Sequence, residues 1–188
     1  MFVFFMSTKE NIVTLADQLL RTRGYNAFSY KDLSGPLNIK NAAVHYHFPA
    51  KSDVAVAVVD RTIQAFSKSR RQWEALPVKA RLRNFITIYA DNNEAHLICL
   101  MGSLAPDYQT LPPSVQQRVR TMGNDILDWL THCLAEGQQS EEIVFIGEPY
   151  DKALAIVASL LSSLLLGRVL GQEVATRIHQ QLIDEITT

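Results

Sequence analysis

Apolar positions recur along most of this chain with the spacing of amphipathic helices. Ile12, Leu15, Ala16, Leu19 and Leu20 fall at i, i+3, i+4, i+7 and i+8 and predict a first helix, which Arg21, Arg23 and Gly24 would close. Tyr25 and Phe28 read as core plugs in the connection that follows. Ser29 and Asp32 have the spacing of a capping pair and predict a brief second helix, with Leu33 and Leu37 facing inward. Gly35-Pro36 disfavours its continuation, and Asn38 suits a tight turn because asparagine tolerates positive φ.

A third helix is predicted over N-A-A-V-H-Y-H, residues 41–47, stopped near Phe48-Pro49. At 100° per residue Phe48 falls about 40° from Val44, and Asn41 and His47 flank that narrow buried edge. Ala42, Ala43, His45 and Tyr46 take the opposite side: two small residues that let a backbone approach, beside two planar side chains with polar tips. A helix of about seven residues does not survive by propensity, so its neighbours must hold it while that face stays open. Taken alone, it fits a DNA-reading helix or a connecting helix in an all-α enzyme. Two short helices joined by a tight turn and braced by a longer one make a helix-turn-helix.

Val54, Ala57, Val58, Arg61, Thr62 and Ala65 continue toward Trp73 and Leu76 as a linking helix of about 25 residues from Ser52, interrupted by Pro77. Its Lys68, Arg70 and Arg71 read as a solvated face, with a DNA role as the other reading. Leu82, Phe85, Ile86, Tyr89 and Ala90 mark a further helix. The run from His96 to Pro113 carries too many breakers for one straight helix, and such a kinked segment can line a cavity. Ser114 to Gly137 predicts a long helix with Val115, Val119, Met122, Ile126, Trp129, Leu130, Cys133 and Leu134 inward.

Asp151 to Leu170 holds fourteen consecutive apolar or hydroxyl residues, a stretch shorter than a bilayer crossing needs. Apolar almost all round, that helix is expected to be buried both by its own domain and by a second subunit. A core helix in a monomer is the alternative. Val174, Ile178, Leu182 and Ile186 repeat every four residues on a last helix that can join it.

Composition and termini add further constraints. With 188 residues, 47% of them hydrophobic and 20% charged, the chain suits one full core or a small module joined to a larger one. The opening M-F-V-F-F-M is apolar but six residues long and lacks a basic leader, so it reads as neither signal peptide nor membrane span, and Met6 is an alternative start to Met1. Two cysteines, Cys99 and Cys133, are too few for a disulfide scaffold or a four-cysteine zinc site and suit a reducing cytoplasm. The net charge of −1 hides a split: residues 1–72 hold ten Lys+Arg against five Asp+Glu, and the remainder holds eight against fourteen. A basic front on an acidic back points to a nucleic-acid module on a body that does something else.

The run F-S-Y-K-D-L-S…L-N-I-K-N-A-A-V-H-Y-H-F-P-A-K-S-D-V resembles the signature of the TetR family of bacterial transcriptional regulators, F-T-x-x-D-I-A-x-x-A-G-V-S-x-x-x-x-Y-x-H-F-x-x-K-x-x-L, over about Ile12 to Ile63. The resemblance implies an all-α homodimer, with a DNA-binding domain over residues 1–52 and an effector-binding and dimerisation domain over 53–188. It places Ser29 and Tyr30 near a phosphate, Lys40 at the start of the recognition helix, and Asn41, Ala42, Ala43 and His45 nearest base edges. Tyr46, His47 and Lys51 would meet the DNA backbone. The chemistry agrees: lysines and a helix N-terminus neutralise phosphate charge, and His45 and Asn41 can exchange hydrogen bonds with bases. The methyls of Ala42 and Ala43 can approach thymine methyls, or the two alanines can simply be helix formers. In two places the chain departs from the pattern. Leu37-Asn38 replaces alanine-glycine in the turn, and Lys40, which cannot accept a capping bond, replaces Ser or Thr, so the helix can start one residue off.

The resemblance further implies an intersubunit four-helix bundle from the last two helices, about residues 151–187, and a near-palindromic operator with half-sites about 34–36 Å or a multiple apart. A small-molecule effector would release DNA by biasing the spacing of the two reading heads. Phe85, Tyr89, Cys99, Met101, Tyr108, Met122 and Trp129 are the candidate effector residues, with plain core as the alternative for each. The segments C-L-M-G-S-L-A-P-D and W-L-T-H-C-L-A-E-G-Q look like a branch that includes repressors of detoxification genes, some answering electrophiles through a cysteine. A reactive thiol needs access and a lowered pKa; an inert buried cysteine is the other reading of Cys99.

No cofactor, metal or membrane partner is expected. His45 and His47 would point about 160° apart on a helix, and His96-x-x-Cys99 has no further ligand of suitable spacing beside it. No glycine-rich phosphate loop or nucleophile elbow appears. The expected function is therefore a cytoplasmic, ligand-responsive DNA-binding regulator that represses and is not an enzyme. An activator, a regulator that has lost sequence preference, and a thiol enzyme using Cys99 and His96 are the alternatives.

Overall fold

The computed structural model describes residues 7–187, with the side chains of the last two outside the description. The opening M-F-V-F-F-M and its alternative start lie outside the described residues, as does the side chain of Ile186. Among the described residues the elements are helices: α1 (Thr8–Arg23), α2 (Tyr30–Ser34), α3 (Asn41–His47), α4 (Lys51–Trp73), α5 (Val78–Glu94), α6 (Leu100–Leu104), α7 (Pro113–Gln139), α8 (Pro149–Leu170) and α9 (Gln172–Thr187), with a 3₁₀ turn at Tyr108–Thr110. The all-α expectation holds.

The chain packs as two compact units. One runs to Thr62 and takes in Leu100–Arg120; the other comprises Ile63–Cys99 and the chain from Thr121 onward. This packing boundary differs from the division at residue 52, because a segment far along the chain completes the first unit.

In the first unit α1 begins with a reciprocal cap: Glu10 N–H donates to Ser7 Oγ at 3.3 Å, and Ser7 N–H donates to Glu10 Oε2 at 2.7 Å. Ile12, Ala16 and Leu20 form its fully buried stripe. Gly24 ends it at φ 86°, and a Cβ there would lie 3.1 Å from Asp107 Oδ2. Asp107 also accepts the Asn26 backbone N–H at 3.1 Å and its side-chain amide at 3.0 Å, fastening the segment after α6 to the corner after α1. Arg61 of α4 donates to Thr14 Oγ1 at 2.8 Å and pairs with Asp17 at 3.2 Å.

In the second unit Phe66, Trp73, Phe85 and Trp129 form an aromatic cluster, with ring centroids 5.4 to 6.0 Å apart. Glu142 caps α5 by accepting the backbone N–H groups of Val78 and Lys79 at 3.0 and 2.7 Å. Asn93 donates to Gln172 O at 3.1 Å, and Gln172 returns a bond to Asn93 O at 2.6 Å, tying the end of α5 to the start of α9. Gly167 lets this junction close: a Cβ there would meet Asn93 Oδ1 at 2.9 Å and Ala175 Cβ at 3.0 Å.

One expectation needs correction here, and another holds: α9 joins α8. At 22 residues α8 is long and apolar enough, by length and composition alone, to cross a membrane. Ala153, Ile156, Val157, Leu160, Ser163, Leu164 and Gly167 are buried on it, and its main partner is α9. On α9 the buried positions are Ala175, His179 and Leu182, while Val174 and Ile178 are half-buried beside them. His179 is therefore a core residue. Its Nε2 lies 2.8 Å from Ser163 Oγ, whose hydroxyl also reaches Leu160 O at 2.7 Å, and its Nδ1 is buried with no hydrogen-bond partner.

Candidate nucleic-acid interface

Leu33, Val44 and Phe48 are buried and anchor α2 and α3 to α1. The link between the two short helices is the turn foreseen at Asn38, which takes φ 52°. Asn38 N–H bonds Gly35 O and Ile39 N–H bonds Ser34 O, each at 3.0 Å. α2 ends at Ser34 with Gly35 as its C-cap, still right-handed (φ −60°, ψ −61°), so the helix stops at Gly35-Pro36 as expected. Lys40 is the N-cap of α3 and makes no side-chain capping bond, and the helix starts at Asn41.

This geometry presents Asn41, Ala42, His45 and Tyr46 together on one exposed arc, while Ala43 and His47 sit half-buried at its edge. Tyr46 is 83% exposed and rests edge-on to His47, with centroids 5.1 Å apart. The His45 ring packs against Tyr30 at 4.5 Å, and its Nδ1 lies 3.4 Å from Pro49 O. An imidazole that donates from Nδ1 to that carbonyl keeps Nε2 as an acceptor for a base-edge N–H.

Several other candidates are already engaged with the body of the unit. Ser29 donates from both its backbone N–H and its hydroxyl to Asp32 Oδ2, at 2.8 and 2.7 Å, holding the Asp32 carboxyl below its usual pKa. Tyr30 donates its hydroxyl to Phe48 O at 2.6 Å. Burial, with Asp53 and Tyr25 nearby, pushes its pKa up to about 12. Lys51 carries its ammonium over the rings of Tyr25 and Phe28, 4.5 and 4.4 Å from their centroids. Burial lowers its pKa, and the opposing charges of Asp107 and Asp32 only partly offset that. Lys40 remains exposed.

The one residue at this interface that periodicity did not single out is Ser34, buried at the end of α2, whose hydroxyl donates to Asn41 Oδ1. Its signal was a serine where the quoted signature has alanine.

In the second unit an open cavity of about 450 Å³ lies between α4, α5 and α7, lined by Arg70, Arg71, Glu74, Arg81, Trp129, His132 and Cys133 among others. Arg81 pairs with Glu136 through two bonds of 2.7 and 2.8 Å. Of the candidate effector residues, Trp129 lines this cavity. Phe85, Tyr89, Cys99 and Met122 are buried core, and Met101 and Tyr108 belong to the other compact unit. Burial also raises the pKa of Cys133. His96 is exposed and Cys99 is buried.

A family model described as the tetracyclin repressor-like C-terminal domain matches residues 78–182. A TetR transcriptional regulator from Legionella pneumophila shares this fold at a TM-score of 0.88 and 30% identity, over 97% of this chain and 98% of that one. The chain belongs to the TetR family of transcriptional regulators. A second TetR-family regulator, from Agrobacterium tumefaciens, matches with a TM-score of 0.89 and 28% identity over 96% and 98% of the two chains. An uncharacterized HTH-type transcriptional regulator in the lacX 3′ region of Lactococcus lactis subsp. lactis is 24% identical over 172 residues, 87% of this chain and 84% of its own length. In TetR-family terms, α2 and α3 are the helix-turn-helix of a DNA-binding regulator.

Proposed function

We propose that this TetR-family chain is a repressor that binds a near-palindromic operator as a homodimer and is released by a small molecule held in its second unit. The observation that carries the dimer is the outer face of α8, where Leu154, Leu165, Leu166, Val169 and Leu170 are exposed along one helix. Such a contiguous apolar face is a liability for a monomer. A second copy, packing its own α8 and α9 there about a two-fold axis, would cover it.

The reading face supports the operator. Asn41 and His45 offer hydrogen-bonding groups, Ala42 a methyl, and Tyr46 a long polar tip, all from one side of a helix narrow enough for the major groove. Lys40 and Lys51 would supply phosphate contacts. Effector binding in the cavity beside Trp129 needs to shift the DNA-binding equilibrium by only ~1–3 kcal/mol to change affinity about 5- to 150-fold. Located in a cytoplasm, the protein would meet both partners.

Selection of bound sequences from a random duplex library with the purified full chain, read at two salt concentrations, tests this reading. A palindromic motif bound at two protomers per duplex is the expected result. Enrichment of a single unpaired half-site, or of nothing, would overturn it.

A further inference from the structure

Asn41 opens α3 at the edge of the reading face, and Ser34 lies buried beneath it at the end of α2, 6% exposed. The Ser34 hydroxyl is within hydrogen-bonding distance of Asn41 Oδ1. A hydroxyl has one proton to give. Its other acceptor, Lys31 O, is 3.5 Å away and already takes the Gly35 N–H at 3.1 Å. The proton therefore goes to Asn41 Oδ1, and the orientation of the amide follows: the oxygen is turned toward α2 and the NH₂ away from it.

We propose that Ser34 is a positioning residue that fixes Asn41 as a hydrogen-bond donor toward the base edges of the operator. This rests on the DNA-reading function proposed above and states which chemistry one position of that face selects. An amide free to turn can pair bidentately with adenine, accepting from N6 and donating to N7. Held by Ser34, the Asn41 amide offers N–H groups and keeps its oxygen on the protein side. Guanine presents two adjacent acceptors, N7 and O6, whereas adenine presents an acceptor beside a donor. The base column that Asn41 reads thus favours guanine over adenine, through a residue that never touches DNA.

The experiment is library selection with the full-length wild type, S34A, N41A and the S34A/N41A double variant. The wild type is expected to enrich a half-site with one guanine-preferring column that N41A flattens. S34A removes one hydroxyl from a buried site and inserts a good helix former, so the fold is retained, which a thermal melt confirms. It is expected to move that same column toward adenine by a ratio on the order of five- to a hundredfold, with the other columns and the salt slope unchanged. In the N41A background the Ser34 substitution is expected to change nothing.

Wild-type enrichment with S34A leaving every column as it was would overturn this proposal alone. Uniform weakening without a column change, the mark of a contact to phosphate, would overturn it too, as would an effect of S34A that persists without Asn41. Absence of any wild-type motif would overturn the operator reading and this proposal together. Nuclear Overhauser contacts from the Asn41 amide protons to the Ser34 Cβ protons would show the amide turned the other way and overturn the proposal without reference to DNA.

Discussion

The Tyr30 hydroxyl donates a 2.6 Å hydrogen bond to the carbonyl oxygen of Phe48, joining the first residue of α2 to the C-cap of α3. α3 has seven residues and no N-terminal side-chain cap. Its rigidity therefore comes from this bond, from Ser34, and from the burial of Val44 and Phe48. Tyr30→Phe keeps the ring that packs on His45 and leaves the Phe48 carbonyl without its donor. A loss of about 0.5–1.5 kcal/mol is expected in a urea melt, together with weaker operator binding. Equal stability of variant and wild type would show that the bond contributes nothing net.

Lys51 seats its ammonium over Tyr25 and Phe28, and the proposed phosphate contact falls on that same group. Lys51→Ala should weaken binding to all sequences alike and make the plot of log affinity against log salt shallower by about 0.9, the change for one phosphate contact. An unchanged slope would show that the ammonium stays over Tyr25 and Phe28 in the complex. The variant is also expected to lose about 0.5–1 kcal/mol of stability from that cation–π seat.

His179 makes stability depend on pH. Burial holds its pKa below the ordinary histidine value, and Nδ1 has no acceptor for a second proton. As pH falls through the usual histidine range near 6.5, the unfolded chain takes up that proton before the folded one does, so stability declines as the solution becomes more acidic. Urea midpoints at pH 7.5 and 5.5 should differ more for the wild type than for His179→Gln. An identical pH dependence in the two would rule the imidazole out as the cause.

Leu166 lies on the exposed face of α8. Leu166→Glu puts a charge where the proposed two-fold partner would sit and leaves the monomer core alone. Sedimentation is expected to show a dimer for the wild type and a folded monomer for the variant, with operator affinity falling at least tenfold as the paired half-sites come to be read separately. A dimer persisting in Leu166→Glu would place the subunit contact elsewhere.

Local pattern carried much of this structure. The 3.6-residue stripes gave α1, α5 and α7 because each buries one face whose residues are apolar by type, and Asn38 announced its turn because few residues tolerate positive φ. The inner face of α9 was legible only in part, through Leu182. Its buried line runs through Ala175 and His179, while the more hydrophobic Val174 and Ile178 stand half-buried beside it. Ser34 was hidden for a related reason: it is a small polar residue whose burial depends on a partner in the next helix. Asp107 was out of reach of any local reading, since its partner Asn26 is 81 residues away in sequence. Of the candidate effector residues only Trp129 lines the cavity described above, because aromatic and methionine side chains at helical spacing mark a core as readily as a cavity.

The bonds from Asp107 to Asn26 also bear on modular exchange among such regulators. Leu100–Arg120 packs with the reading head, so the head is a noncontiguous graft. A chimera that transplanted only the first fifty or so residues would sever those bonds and uncover α1 where α6 had covered it. A transplant that keeps this packing whole carries two separated stretches of sequence together.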